Sequence, residues 1–292
     1  MVRLIIWGLG REYYKALSTI RYLEMTNQIE VVGVVSRDDC YSTVDGYTCY
    51  KVYQIKELAF DYILVATGKK VYREINSQIV ERGIDSEKIL NISVCLLPNF
   101  DFEKYLLIKE NKMSIVSNNC WGGLTSHMLQ LEFLSPFVNL AIEDQYYIKL
   151  LSNFKNYMEK ELIFIRWEYY ERLKHEYPIF RIGDVEIRFL HYHTVEDAKM
   201  SWERRKCRIN YNNLFVMMYT TSEDISQQFD ALPFRNKVCF VPFYSSNKST
   251  YCLDIADKLP EVPFWEIVNS SAMGIYKTYN VLSLLCGEKQ PR

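Results

Sequence analysis

Four groups of residues carry types and spacings from which chemistry is built. The first is Gly8-Leu9-Gly10-Arg11-Glu12-Tyr13, set between a short apolar run and a segment of helical period. Glycines between a strand and a helix permit a tight turn and let a phosphate approach helix N–H groups, whose partial positive charge favours an anion. Gly68, which ends a later strand, joins Gly8 and Gly10 as a nucleotide-contact position. The third glycine of the dinucleotide fingerprint is here Tyr13, and Glu12 sets a negative charge where a pyrophosphate would lie. After the second strand, Arg37 suits a 2′-phosphate and Asp38 a ribose hydroxyl, so this end of the motif does not choose between cofactors. Redox chemistry with NAD(P), a nucleotide or nucleotide-sugar pocket, and a fold used only for packing or dimerisation all stay open.

The second group is the loop Ser117 to Gly123, after a strand and before a helix. Open α/β sheets bind ligands beyond the carboxyl ends of their strands. Asn118 and Asn119 offer amides that donate and accept, Trp121 a face for a pyranose or a base, and Gly122-Gly123 backbone N–H groups. Cys120 is a nucleophile only if its thiol pKa is lowered, and no histidine is supplied to it by spacing. The alternative is a capped strand-to-helix turn.

The third group is His191-Tyr192-His193, where two imidazoles two residues apart in a strand share one side. They suit proton transfer; a metal would need a third ligand, for which Asp184, Glu186 and Glu196 are only nominal. The fourth follows directly: Trp202-Glu203-Arg204-Arg205-Lys206-Cys207-Arg208, with Lys199 a turn earlier and Asn210 after it. Arg208 lies one helical turn from both Arg204 and Arg205, and guanidinium forks bind phosphate in bidentate fashion. The alternative for a basic run on a helix is a solvated face. There is no Asp-x-Asp diphosphate signature, no phosphate loop of the Gly-x-x-x-x-Gly-Lys type and no Gly-x-Ser-x-Gly elbow.

The elements that must position these residues alternate. Strands are expected at Arg3–Trp7, Ile29–Val35, Asp61–Thr67 and Lys88–Val94, with helices at Arg11–Met25 and Tyr72–Glu81 between them, the mark of a parallel sheet. Pro98-Asn99 breaks the pattern, and the boundary is placed near residue 108, giving domains 1–108 and 109–292. The second domain is expected to carry a strand at Met113–Ser117, a helix from Leu124, one helix over Asp144–Lys160, and a hairpin Ile179–Ile182/Val185–His191 turned by Gly183-Asp184. A helix over Thr194–Cys207 capped by Thr194, a strand at Leu214–Tyr219, a helix capped by Ser222 and a strand at Lys237–Phe243 follow. The fold class is α/β, an N-terminal Rossmann-like parallel sheet followed by a larger second α/β domain.

With 292 residues, 49% of them hydrophobic, and a formal net charge of −1, the chain can bury real cores and has no global field to draw it to nucleic acid or an anionic membrane. Apolar runs fall short of a membrane span or a signal-peptide core, and the eight scattered cysteines read as free thiols, so a cytoplasmic location is expected.

The run Ser114-Ile115-Val116-Ser117-Asn118-Asn119-Cys120-Trp121-Gly122-Gly123, with Leu134-Ser135-Pro136-Phe137-Val138-Asn139-Leu140, resembles a bacterial domain family of unknown function whose members are labelled exopolysaccharide biosynthesis proteins. Phe189 to His193, Glu196, Ala198, Trp202, Arg204-Arg205 and Arg208-Ile209-Asn210 resemble a second block of that family, and the resemblance covers most of residues 110 to 285. The first hundred residues are similar to short Rossmann-like modules attached to enzymes of surface-polysaccharide clusters. The resemblance implies a part in making or decorating a surface glycan, with a nucleotide-activated or phosphorylated sugar as ligand; a homo-oligomer is a separate option. The expectation is a glycosyl- or sugar-modifying transferase. In it Arg204, Arg205 and Arg208 hold a diphosphate, Trp121 stacks, Asn118 and Asn119 position hydroxyls, and His191 or His193 is the base. A non-catalytic sugar-nucleotide-binding or scaffold protein and an NAD(P)-dependent oxidoreductase are the alternatives.

Overall fold

The computed structural model describes residues 1–36, 42–172, 174–258 and 260–288. The chain divides into two compact units, residues 1–107 and 108–292.

In the first unit, β1 (Val2–Trp7) lies at the centre of a sheet with β2 (Ile29–Ser36), β3 (Thr43–Val44), β4 (Tyr47–Lys51), β5 (Tyr62–Val65) and β6 (Ile89–Asn91), in the order β3-β4-β2-β1-β5-β6. All pairings are parallel except β3 with β4. A central parallel strand is covered on both faces, and Leu4 to Trp7 are accordingly all buried. The helix α1 (Arg11–Met25) turns Tyr13, Ala16, Ile20 and Leu23 inward at steps of three and four. It has the bounds its periodicity predicts, and α2 (Lys69–Val80) begins three residues earlier than predicted. The expected strand Lys88–Val94 is cut to three residues, because Asn91 accepts a hydrogen bond from the Ser93 N–H at 2.9 Å and starts a 3-10 turn. A third helix, α3 (Phe102–Glu110), follows.

The second unit holds a parallel sheet in the order β13-β12-β11-β7, from β7 (Ser114–Ser117), β11 (Leu214–Tyr219), β12 (Asn236–Val241) and β13 (Thr250–Cys252). An antiparallel sheet β10-β9-β8 is inserted in sequence between β7 and β11, from β8 (Leu162–Tyr170), β9 (His175–Ile182) and β10 (Val185–Arg188). Helices α4 (Trp121–Met128), α5 (Asp144–Ser152), α6 (Phe154–Glu159), α7 (Val195–Lys206), α8 (Glu223–Asp230), α9 (Phe264–Ala272) and α10 (Val281–Leu285) complete it. Phe137, Tyr147, Phe154, Phe180, Phe189 and Trp202 fill one core.

The Gly183-Asp184 turn joins Ile182 to Val185 as predicted, with Gly183 at φ +62°. Thr194 and Ser222 cap their helices through bonds from the Asp197 and Ile225 N–H groups. The second hairpin strand, however, stops at Arg188, since the Tyr192 N–H closes a turn on the Phe189 carbonyl at 3.1 Å. The single helix expected over Asp144–Lys160 is two, broken at Asn153. Among the described cysteines, six are outside any disulfide and Cys49 is disulfide-bonded, so the expectation of thiols throughout is corrected there. Among the described residues no helix is long and apolar enough to cross a membrane.

Candidate functional site

At the carboxyl ends of β7 and β11 the backbone ladder stops and the Asn118 side chain continues it. Its amide donates to the Tyr219 carbonyl at 3.2 Å and accepts from the Tyr219 N–H at 3.3 Å. The Asn118 carbonyl takes the Ile142 N–H at 2.9 Å, which leads the chain into α5, and the Tyr147 hydroxyl then donates to the Met217 carbonyl at 3.0 Å. These bonds set Asp144, in the first turn of α5, on the sheet edge. One Asp144 oxygen accepts from the Thr220 hydroxyl at 2.6 Å and the other lies 3.4 Å from the Asn118 amide nitrogen.

Asp144 is half-buried, and burial lifts its carboxyl above the ordinary aspartate range against the two hydrogen bonds, with nearby Glu143 adding to the rise. Tyr219 is pushed up to about 12, chiefly by burial and further by the Asp144 charge. Phe264 packs against its ring with centroids 6.4 Å apart. Cys120 beside them is pushed up to about 11 by burial. It is therefore a thiol at neutral pH, and its raised pKa is the reverse of what a nucleophile needs.

The rest of the predicted loop is spent on structure. Asn119 accepts from the Trp121 N–H at 2.9 Å and donates to the Asn269 side chain at 3.1 Å. Trp121 is fully buried: its ring stacks on Phe215 at 6.0 Å and its indole N–H donates to the Tyr279 hydroxyl at 2.8 Å. No face of it is left for a sugar or base. The Gly122 N–H is taken by the Ser117 hydroxyl at 3.0 Å, and a Cβ there would stand 2.9 Å from that oxygen. At Gly123 a Cβ would stand 3.0 Å from Val138. Gly122 serves close helix-to-strand packing and Gly123 the approach of α4 to the segment at Val138, and the Asn118 and Asn119 amides and the Trp121 ring all have partners within the protein.

The arginine group does not join that loop. Asn210 donates its side-chain amide to the Asn111 and Lys112 carbonyls at 3.3 and 3.1 Å, and its N–H to the Ser114 hydroxyl at 2.8 Å. This fixes the group at the amino end of β7, one strand length of about 13 Å from Asn118. Arg208 pairs with Glu132 at 2.8 Å, and Arg205 donates to the Tyr192 hydroxyl at 2.7 Å and lies over the Phe133 ring at 5.2 Å. Arg204 is exposed. Arg204, Arg205 and Lys206 occupy the last turn of α7, where cations complement the helix dipole. Trp202 is buried against Phe137 and Phe189, its indole N–H without a partner among the described residues. Arg205 and Arg208 thus have partners within the protein and Arg204 is open to solvent, at the opposite end of β7 from the Trp121 turn.

His191 and His193 are exposed on either side of the buried Tyr192, and a third imidazole joins them. His175 lies with its ring 4.9 Å from His193 and its Nε2 2.9 Å from the Leu190 carbonyl. Burial and the charges of His175 and His193 hold His191 below its ordinary value. No group of three His, Cys, Asp or Glu side chains among the described residues is arranged to hold a metal.

In the first unit the strand order reverses between β1 and β5, the place where open α/β sheets carry a ligand crevice. Gly8, Gly10 and Gly68 lie there. Gly8 sits at φ +104°, and a Cβ on it would stand 3.2 Å from the Ala66 carbonyl oxygen. Gly10 and Gly68 are the N-caps of α1 and α2, neither with a side-chain cap, and a Cβ on either would meet open space. The Thr67 hydroxyl, beside Gly8, is buried without a partner among the described residues. Tyr13 does not pry helix from strand: it is fully buried and donates its hydroxyl to Asp45 at 3.1 Å, while Glu12 is neutralised by Lys15 at 2.8 Å. Arg37 lies outside the described residues.

The arrangement thus brings together a carboxyl of raised pKa, a hydroxyl, an amide and two aromatic rings at the carboxyl edge of the second sheet, and three glycines with an orphan hydroxyl at the switch point of the first. Asp144, Tyr219, Thr220 and His175 were missed from the sequence because their partners are up to 101 residues away. A Haemophilus influenzae protein described only as uncharacterized is 37% identical over 155 residues, which are 51% of this chain and 72% of that protein. Residues 1–90 match the model described as C2185-like, N-terminal. Residues 91–285, two thirds of the chain, match the model of the domain of unknown function DUF1919, and the protein belongs to that family.

Proposed function

We propose that the protein is a glycosyl- or sugar-modifying transferase in which Asp144 takes the proton of an attacking hydroxyl. The observation that carries this is the half-buried Asp144 carboxyl fixed by Asn118 and Thr220 at the carboxyl ends of two parallel strands. A base is most effective when its pKa approaches the working pH, and burial moves Asp144 in that direction. The resemblance of residues 110 to 285 to proteins labelled for exopolysaccharide biosynthesis supports a glycan acceptor. The exposed histidines His191 and His193 are the second choice of base. The test is turnover of nucleotide sugars with glycan or polyprenyl acceptors: Asp144→Asn is expected to lower kcat by about 10²–10⁴-fold. Unchanged turnover in that variant removes Asp144 from the chemistry.

A second reading, a non-catalytic sugar-nucleotide-binding protein, is favoured by the switch-point crevice of the first unit. Its glycine-capped helix ends suit the phosphates of a nucleotide sugar or of NAD(P). A thermal-shift panel of nucleotide sugars, free nucleotides and NAD(P)(H) separates the readings. Stabilisation by NAD(P)H alone turns the assignment to an oxidoreductase, and nucleotide-sugar binding with no turnover to the binding protein.

A further inference from the structure

The strand β8 runs for nine residues along the free edge of the β10-β9-β8 sheet. Sheet edges are normally short, charged, kinked or covered, since their open N–H and C=O groups template another strand. This edge carries one bulge and the charges of Arg166 and Glu168, yet it is long and exposes Ile163 (44%), Phe164 (38%), Trp167 (39%) and Tyr169 (53%).

The direction of its backbone groups follows from β9. The Phe189 N–H donates to the Pro178 carbonyl at 3.0 Å, so Pro178 turns its backbone to the β10 side. In an antiparallel ladder successive residues face opposite neighbours. Trp167 stands opposite Pro178, which has no N–H to give. Trp167, and Tyr169 two residues on, therefore direct their N–H and C=O groups away from β9 to the open side. The register shift between Phe164 and Arg166 puts Phe164 opposite Phe180, in the same outward phase. Three aromatic residues thus coincide with the unpaired backbone groups.

The charges select the partner. Arg166 and Glu168 flank Trp167 and lie 3.5 Å apart, with Arg166 also held by both oxygens of Glu186 at 3.1 Å. A two-fold axis through Trp167 sets the Arg166 of one chain opposite the Glu168 of a second copy, twice over. It also stacks Trp167 on its own image and brings Phe164 to Tyr169 of the second copy, with the bulge taking up the extra residue. Opposite charges and aromatic pairs across neighbouring strands are the stabilising unit of a sheet, and a two-fold interface uses one patch on both copies.

We infer that β8 is a homodimerisation strand, pairing antiparallel with β8 of a second copy about Trp167 into a continuous six-stranded sheet. The inference does not depend on the chemistry assigned to Asp144. Charge reversal tests it in the full chain. Arg166→Glu sets Glu against Glu168, and Glu168→Arg sets Arg against Arg166, so each variant is expected to self-associate about tenfold more weakly than wild type by sedimentation equilibrium. Mixed in equal amounts, the two variants present opposite charges at both positions and are expected to form a heterodimer. In wild type, the Trp167 and Tyr169 amides are expected to exchange hydrogen more slowly as concentration rises. A wild-type chain that is monomeric at about 100 μM, well above the range of a specific interface, overturns the inference. So do single variants that dimerise like wild type, or a mixture that stays monomeric; the exposed edge would then serve a different chain.

Discussion

Asp144 carries a cost that its replacement should reveal. Its folded pKa is raised above the ordinary aspartate value of 3.8, so the folded chain holds a proton that the unfolded chain has already released over the interval above 3.8. Stability from this group therefore falls as pH rises through that interval and stays low above it. Asp144→Asn keeps an acceptor for Thr220 and removes the buried charge. We expect its melting temperature at pH 7 to equal or exceed that of wild type, with a flatter decline between acid and neutral pH, even as turnover is lost. A lower melting temperature at neutral pH would mean that the charge stabilises the edge. Arg205 sits differently. Its guanidinium is occupied by the Tyr192 hydroxyl and the Phe133 ring, so Arg205→Ala should cost about 0.5–1.5 kcal/mol in unfolding free energy and leave nucleotide-sugar affinity unchanged. Loss of affinity with no loss of stability would restore the diphosphate role read from the basic run. That run was visible in the sequence, but its destination was not. Glu132 and Tyr192, which absorb Arg208 and Arg205, lie outside the helix whose period drew attention to it.

Elements with a local signal were legible. The period of Arg11–Met25, the Thr194 and Ser222 caps and the Gly183-Asp184 turn each depend on residues a few positions apart. β8 was missed because Leu-Ile-Phe-Ile-Arg-Trp-Glu-Tyr-Tyr shows no clean alternation, which a bulged and largely exposed strand does not produce. β4, Tyr-Thr-Cys-Tyr-Lys, was missed because it carries few of the apolar residues by which a sheet is read. The start of α1 offers a test of the first crevice. Gly10 has φ −87° and extended ψ, and a Cβ there meets nothing within 4 Å, so Gly10→Asp is sterically free. Its carboxylate should cap α1 and raise stability by a few tenths of a kcal/mol, and should repel a phosphate from the same N–H groups. The expected outcome is a slightly higher melting temperature with the nucleotide-induced shift abolished. An unaltered shift would place the ligand elsewhere.

At the scale of the molecule, each unit encloses its own core, one around Ile5, Trp7, Ile63 and Ile79 and the other around Phe137, Tyr147, Phe180 and Trp202. Two cooperative units are expected in calorimetry as two transitions, and a ligand of the first crevice should raise only one of them. A single transition moving as a whole would show that the units unfold together. The α/β class was legible because alternating β and α periods imply parallel sheets wherever they occur. The candidate site was not, since one end of β7 holds Asn118 and the other Asn210, a separation that no sequence spacing reports. Asn118 has a wider consequence. The same amide that steadies the Asp144 carboxyl also splices β7 to β11, and its carbonyl anchors the chain that enters α5. Variation at this position would therefore reach a cell as missing protein, cleared before it could act, whereas on the proposed chemistry variation at Asp144 would leave abundant and inert molecules.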